Sequence, residues 1–218
     1  MNFRNPFENP EIAAAYQGWY FTKGKKAAAA EKALLKTIIL QYHNAQTILE
    51  VGCGTGYFTN WFEELRLRSV GLDCSRSMIQ EARQNYHFPI VHGDALALPF
   101  QAKSFDVVAL ITSLEFTLTP ERALVEALRV TRQGVILGVI NKYSLLGWQY
   151  RKKGGAIWGQ ARLFSPGELI NMLKPIIPKN SRIKYKTTLF PLFSGASKLS
   201  WGGFIGMSVI LHGQEKER

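Results

Sequence analysis

The sequence predicts an open, doubly wound α/β fold on a mostly parallel sheet covered by helices on both faces. Three observations carry this. Between positions 47 and 140, short apolar runs alternate with amphipathic stretches of about ten residues, the pattern of βαβ units with right-handed crossovers. The run at 105–112 is apolar without alternation, as a strand buried on both faces should be. A glycine-rich turn, Gly52-Cys53-Gly54-Thr55-Gly56, joins the first apolar run to the next helical stretch.

Taken in order, residues 1–43 read as helical and somewhat separate. Alanines at 13–15 and 27–30 favour helix, while aromatics and glycines at 16–24 interrupt it. Strands are expected at 47–51, 69–72, 88–91, 105–112 and 134–140. Helices are expected at 57–66, at 75–86 with Ser75 as cap, and at 120–131 with Pro120 in the first turn. After Asn141 the pattern changes. Residues 144–159 are aromatic, basic and rich in glycine, and Ser165-Pro166-Gly167-Glu168 opens a helix to about Lys174. Two more strands are expected at 182–188 and 204–212, ending at His212. The tail at 214–218 is polar and expected to fray.

The 218 residues, 46% hydrophobic and 20% charged, describe a globular chain of one domain's length. No apolar run approaches the roughly 20 residues of a membrane-spanning helix, and the start lacks the apolar core of a signal peptide. Two cysteines, Cys53 and Cys74, support neither a disulfide framework nor a cysteine-rich zinc site. A reducing, cytoplasmic setting is expected. The net charge of +11 is unevenly placed: residues 1–140 carry 14 basic and 13 acidic side chains, residues 141–218 carry 13 and 3.

The glycine turn is the strongest functional signal. Glycine admits positive φ and close approach of a ligand to the backbone, and the helix beyond offers free N–H groups. A dinucleotide-binding G-x-G-x-x-G pattern would need its third glycine at position 57, which is Tyr57. Asp73 follows Gly52 by 21 residues at the end of the second strand, where a carboxylate can accept from both hydroxyls of a ribose. Glu50 precedes the first glycine. These residues point to a cofactor that contains a nucleoside.

Four segments resemble the motifs of class I S-adenosylmethionine-dependent methyltransferases. They are Glu50-Val51-Gly52-Cys53-Gly54-Thr55-Gly56, Gly71-Leu72-Asp73-Cys74-Ser75-Arg76-Ser77-Met78, Gly93-Asp94-Ala95-Leu96-Ala97-Leu98-Pro99-Phe100 and Phe105-Asp106-Val107-Val108. Residues 45–140 are similar to the small-molecule group typified by ubiquinone- and menaquinone-biosynthesis enzymes, methyltransferase type 11. The resemblance implies a Rossmann-like, seven-stranded sheet with strand 204–212 inserted antiparallel. It also implies one methyltransferase domain: an N-terminal helical lid at 1–43, a cofactor-binding core at 44–140 and an acceptor-side cover with the last strands at 141–218.

The same resemblance implies residue roles. Gly52 and Gly54 would pass under the methionine and ribose of S-adenosylmethionine, with Cys53 between them, and Glu50 would orient the loop. Asp73 would hold the ribose hydroxyls. Cys74 and Met78 would line the adenine, Met78 alternatively serving as core filler. Asp94 would face the exocyclic amine, or simply form its turn, and Ala95 would give a backbone N–H to the ring. Ile111 would border the transferred methyl. Tyr16 and Trp19 would cover the methionine end, or pack in the core. S-adenosylhomocysteine would be the product.

Methyl transfer from a sulfonium is a direct displacement and requires no general base when the acceptor is already nucleophilic. The stretch Thr112-Ser113-Leu114-Glu115-Phe116 lacks the Asn/Asp-Pro-Pro-aromatic motif of nucleobase amino methyltransferases, and neither cysteine sits where a cytosine-C5 enzyme needs one. His43, His87, His92 and His212 show no ligand spacing, so no metal is expected. Glu115 is the candidate catalytic residue near the reacting face. Its alternative reading is a cap or ion-pair partner before Pro120. Asp106, at the start of a strand, reads as structural.

The aromatics of the final third interleave with Arg151, Lys152, Lys153 and Arg162. They suggest a small-molecule acceptor, anionic or lipid-like, with transient contact to a membrane surface. The alternative is an RNA methyltransferase, or a non-catalytic RNA-binding module, using the basic third. A third reading makes the lysines an ordinary solvated face.

Overall fold

The computed structural model describes residues 5–189 and 195–211. Seven strands form one sheet: β1 Thr47–Val51, β2 Arg68–Asp73, β3 Ile90–His92, β4 Phe105–Ile111, β5 Thr131–Ile140, β6 Arg182–Thr188 and β7 Phe204–Ile210. Their order is β3-β2-β1-β4-β5-β7-β6. Strands β1 to β5 run parallel. Strand β7 lies between β5 and β6, antiparallel to both, which is the arrangement the resemblance implies. His212 and the tail at 214–218 lie outside the described residues.

Helices α1 Pro10–Phe21, α2 Lys25–Ile39, α3 Tyr57–Glu64, α4 Arg76–Asn85, α5 Pro120–Val130, α6 Leu145–Lys153, α7 Gly155–Trp158 and α8 Pro166–Leu173 connect and cover the strands. Two apolar layers result. On one face, Leu124 and Ala127 of α5 and Leu169 and Leu173 of α8 pack against Val108, Leu110, Val135 and Met207. On the other, Leu34, Leu35 and Ile38 of α2 and Phe58 and Phe62 of α3 pack against Ile48, Val107, Ile136 and Phe204. Burial on both faces explains why β4 reads as a continuous apolar run.

Local structure departs from the sequence reading in one place and extends it in another. The aromatic stretch from Tyr16 to Phe21 continues α1, so the break is confined to Thr22, Lys23 and Gly24. Residues 144–159, which the sequence marks only as aromatic, basic and rich in glycine, form α6 and α7. Ser144 caps α6 by accepting from the Gly147 N–H at 2.9 Å, and Gly154 and Gly155 at positive φ turn the chain into α7.

Asp106 ties the sheet together. Its Oδ2 accepts from Gln46 N at 2.9 Å, Thr47 N at 3.0 Å and Thr47 Oγ1 at 3.0 Å. Although burial opposes it, these bonds and that from Arg132 hold the carboxyl below the usual aspartate range. Tyr42 joins distant strands: its buried hydroxyl donates to the Val135 carbonyl at 2.8 Å and the Val209 carbonyl at 3.3 Å. Tyr42→Phe is expected to cost about 1 kcal/mol in urea denaturation. An unchanged midpoint would show that these two bonds add nothing.

Candidate functional site

A cavity of about 440 Å³ opens at the carboxyl ends of β1, β2 and β4, the place where open parallel sheets bind ligands. Its floor is the turn between β1 and α3. Gly52 and Gly54 hold φ of +73° and +52°, a region that strongly favours glycine. A Cβ on Gly52 would lie 2.4 Å from the Ser113 Cβ, so this position has no room for a side chain. Gly52 N and Cys53 N both donate to the Leu72 carbonyl, at 2.7 and 3.0 Å, and this locks the turn to the end of β2.

Asp73 leaves β2 directly into this turn. One carboxylate oxygen accepts from Gly54 N at 2.7 Å, the other from Ser75 N at 2.8 Å. Burial raises the carboxyl above its ordinary value, and bonds from the Ser75, Gly54 and Cys74 N–H groups work against that rise. Glu50 is buried and takes a short hydrogen bond from the Thr59 hydroxyl of α3. Burial pushes its carboxyl up to about 8, with the Thr59 bond opposing and Asp73 adding to the rise. Ser113 Oγ, against Gly52, is buried without a hydrogen-bond partner.

The adenine-side residues of the sequence reading gather on the opposite wall. Cys74, Met78, Asp94 and Ala95 all line the cavity. Asp94 also holds its own turn, accepting from Leu96 N at 2.9 Å, so both of its readings are compatible with the geometry. Met78 is 2% exposed and reaches within 3.9 Å of the Cβ position of Gly54. Ile111 closes the end of β4.

The roof comes from the chain's first helices. Phe7, Tyr16 and Tyr20 line the cavity. Phe7 meets Tyr16 and Phe116 edge-on, at centroid distances of 6.0 and 4.9 Å. Polar bonds fasten this roof to α4: Ser75 Oγ donates to the Phe7 carbonyl and Ser77 Oγ to the Glu8 carbonyl, each at 2.7 Å. Gln17 Nε2 donates to Tyr86 Oη at 3.1 Å.

Two predicted site residues stand elsewhere. Trp19 does not line the cavity. Its ring lies over Gly24, whose Cβ position is 2.3 Å from it, at the break between α1 and α2. It meets Tyr20 edge-on with ring centroids 5.2 Å apart and packs at the margin of the apolar layer, the core-packing alternative of the sequence reading. Glu115 does not line the cavity either. It sits in the 3-10 turn Leu114–Phe116, 1% exposed, and its Oε1 accepts from Ile140 N at 2.7 Å. It is neither the cap nor the ion-pair partner of the alternative reading. It ties the end of β4 to the end of β5, and its Oε2 has no hydrogen-bond partner.

Sequence reasoning missed Phe7, Tyr20, Phe116 and His92. His92, singled out in the sequence only for lacking ligand spacing, lines the cavity with Nε2 3.0 Å from the Cys74 carbonyl. The spacing of Tyr16 and Tyr20 offered a usable signal for Tyr20. Nothing local marks Phe7, whose place depends on α4. Among the described residues no group of three or more His, Cys, Asp or Glu is arranged to hold a metal ion.

Residues 49–139 match the model of the Methyltransferase domain family. An uncharacterized protein of Methanocaldococcus jannaschii is 32% identical over 170 residues, covering 73% of this chain and 80% of that protein. A demethylmenaquinone methyltransferase of Renibacterium salmoninarum is 38% identical over 90 residues, which span 41% of this chain and only 38% of that enzyme. A solved S-adenosylmethionine-dependent methyltransferase of Thermotoga maritima shares the fold with a TM-score of 0.79, at 24% identity over 95% of this chain and 99% of that one. The chain belongs to the class I S-adenosylmethionine-dependent methyltransferases.

Proposed function

We propose that the 440 Å³ cavity holds S-adenosylmethionine and that the methyl group passes to a small, neutral, lipid-like acceptor bounded by Phe7, Tyr16 and Phe116. The observation that carries this reading is Asp73. Its two oxygens accept from Gly54 N and Ser75 N, and the carboxylate still lines the cavity, where the remaining acceptor capacity would serve ribose hydroxyls. Gly52 and Gly54 would let the methionine part approach the backbone, and Ser113 Oγ offers an unused polar group beside them. Cys74, Met78, Asp94 and Ala95 would take the adenine.

When bound, the cofactor supplies an electrophilic methyl on a sulfonium and its own leaving group. This chain's residues supply orientation and dryness. Glu50 and Thr59 brace the glycine turn from beneath. Ile111 at the end of β4 and the roof aromatics exclude water from the transfer path and restrict the direction of approach. Among the described residues no Lys or Arg lines the cavity, and its aromatic walls favour a neutral acceptor. RNA as acceptor or partner draws no support from the family or its relatives. In this division of the chain, residues 1–43 act as lid, 44–140 as cofactor core and 141–218 as cover.

Label transfer from methyl-labelled S-adenosylmethionine tests the acceptor. Neutral lipid-like small molecules are expected to take label more readily than anionic ones. Transfer to RNA alone would overturn the reading.

A further inference from the structure

Helix α6 has two faces of different character. At about 100° per residue, Leu146 and Tyr150 fall on one side, and Leu145, Trp148 and Lys152 on the other. The inward side leads to the cavity. Tyr150 stacks on Trp158 with centroids 3.9 Å apart, and Trp158 lies 5.9 Å from the wall residue Phe116. The outward side is open: Leu145 is 52% exposed and Trp148 51%, with the Lys152 ammonium 5.1 Å from the Trp148 ring centre.

Neighbouring segments extend this surface. Tyr143, just before the helix, is 71% exposed. Asn141 Nδ2 donates to the carbonyls of Ser200 and Gly202, at 2.7 and 2.8 Å. These bonds hold Leu199 and Trp201, 49% and 43% exposed, beside the start of α6. The surroundings are strongly basic. Described residues from 141 onward carry eleven Lys and Arg against one acid, Glu168. That acid is already engaged by Lys142 Nζ at 2.6 Å and by Ser165.

We propose that this face, made by Tyr143, Leu145, Trp148, Leu199 and Trp201 with Arg151 and Lys152 beside it, docks on an anionic lipid bilayer. Each part of the face has a counterpart in that surface. Indole and phenol rings suit the boundary between headgroups and acyl chains, where one end is apolar and the other wet. Outward Leu145 and Leu199 gain from acyl contact, whereas single-strand nucleic-acid binding rests on aromatic stacking and a basic groove. Lys and Arg next to the ring set gain from the negative surface potential. This inference is independent of methyl transfer.

The test is co-sedimentation of the full chain with vesicles of phosphatidylcholine alone and of phosphatidylcholine mixed with phosphatidylglycerol. Binding is expected only to the anionic vesicles and is expected to fall as salt is raised. Lys152→Gln should weaken it about fivefold, the factor expected for one basic residue near the surface. Trp148→Ser should weaken it while leaving the melting temperature unchanged, since the ring is outside the core. Equal binding to both vesicle types, binding to neither, or binding that these variants leave intact would overturn the proposal. So would equal or tighter binding to polyuridylate that the same variants abolish, which would mark a general polyanion surface.

Discussion

Replacing Asp73 with alanine is expected to weaken S-adenosylmethionine binding by at least two orders of magnitude in calorimetry. Hydrogen bonds to a charged group contribute about 1.5–3 kcal/mol each, and this carboxylate is placed to accept two from a ribose. Asp73→Asn is expected to fare little better. Both carboxylate oxygens already face backbone N–H groups, of Gly54 and Ser75. An amide would turn its own NH₂ toward one of them, setting donor against donor and disturbing the glycine turn. The charged form is the accepting form, so binding should also weaken at acid pH. Because burial raises this carboxyl, the weakening should begin above the usual aspartate range. If Asp73→Ala binds the cofactor as tightly as the wild type, the assignment of the cavity fails.

The second large effect concerns stability. Glu115 is buried, with one carboxylate oxygen on Ile140 N and the other unpartnered, and burial pushes its carboxyl up to about 8. Glu50 and Glu31 shift the same way through burial, to about 8 and about 7. An unfolded glutamate titrates near its ordinary value. Between that value and the folded one, the native state holds more protons than the unfolded state, so stability falls as pH rises. Each such group contributes a slope of up to about 1.4 kcal/mol per pH unit. Glu115→Gln keeps an acceptor for Ile140 N and removes one proton from this linkage. Urea denaturation at pH 5 and pH 8 should therefore show a smaller loss of stability in the variant. An identical loss in both proteins would place Glu115 outside the linkage.

Much of the site was legible because it is local. The glycine turn, Asp73, Cys74 and Met78 sit on two successive strand–turn–helix units, and their spacing reports their geometry directly. Asp94 and Ala95 follow the next strand, again at a fixed place. Glu115 misled because nearness in sequence to the end of β4 says nothing of side-chain direction: the turn at 114–116 aims it at β5. Trp19 misled because helix α1 runs through the aromatic stretch, and its rotation decides which rings face the cavity. Helix α6 was hidden for a different reason. Its buried side is only Leu146, Gly147 and Tyr150, while apolar residues also face outward, so the usual amphipathic period is blurred.

The place of β7 has a consequence for how the molecule forms. The last of the described strands lies inside the sheet, between β5 and β6, rather than at its margin. Tyr42, near the other end of the chain, meets Val209 across 167 positions. The sheet therefore depends on contacts of long sequence separation, which close slowly. During synthesis, β6 has no partner strand until residues 204–210 are available. Until then the apolar edge of β5 is uncovered, and an intermediate stalled at this stage exposes an unpaired strand edge of the kind that drives aggregation. Chaperone demand and yield on expression should thus be governed by this late insertion rather than by the cofactor-binding half.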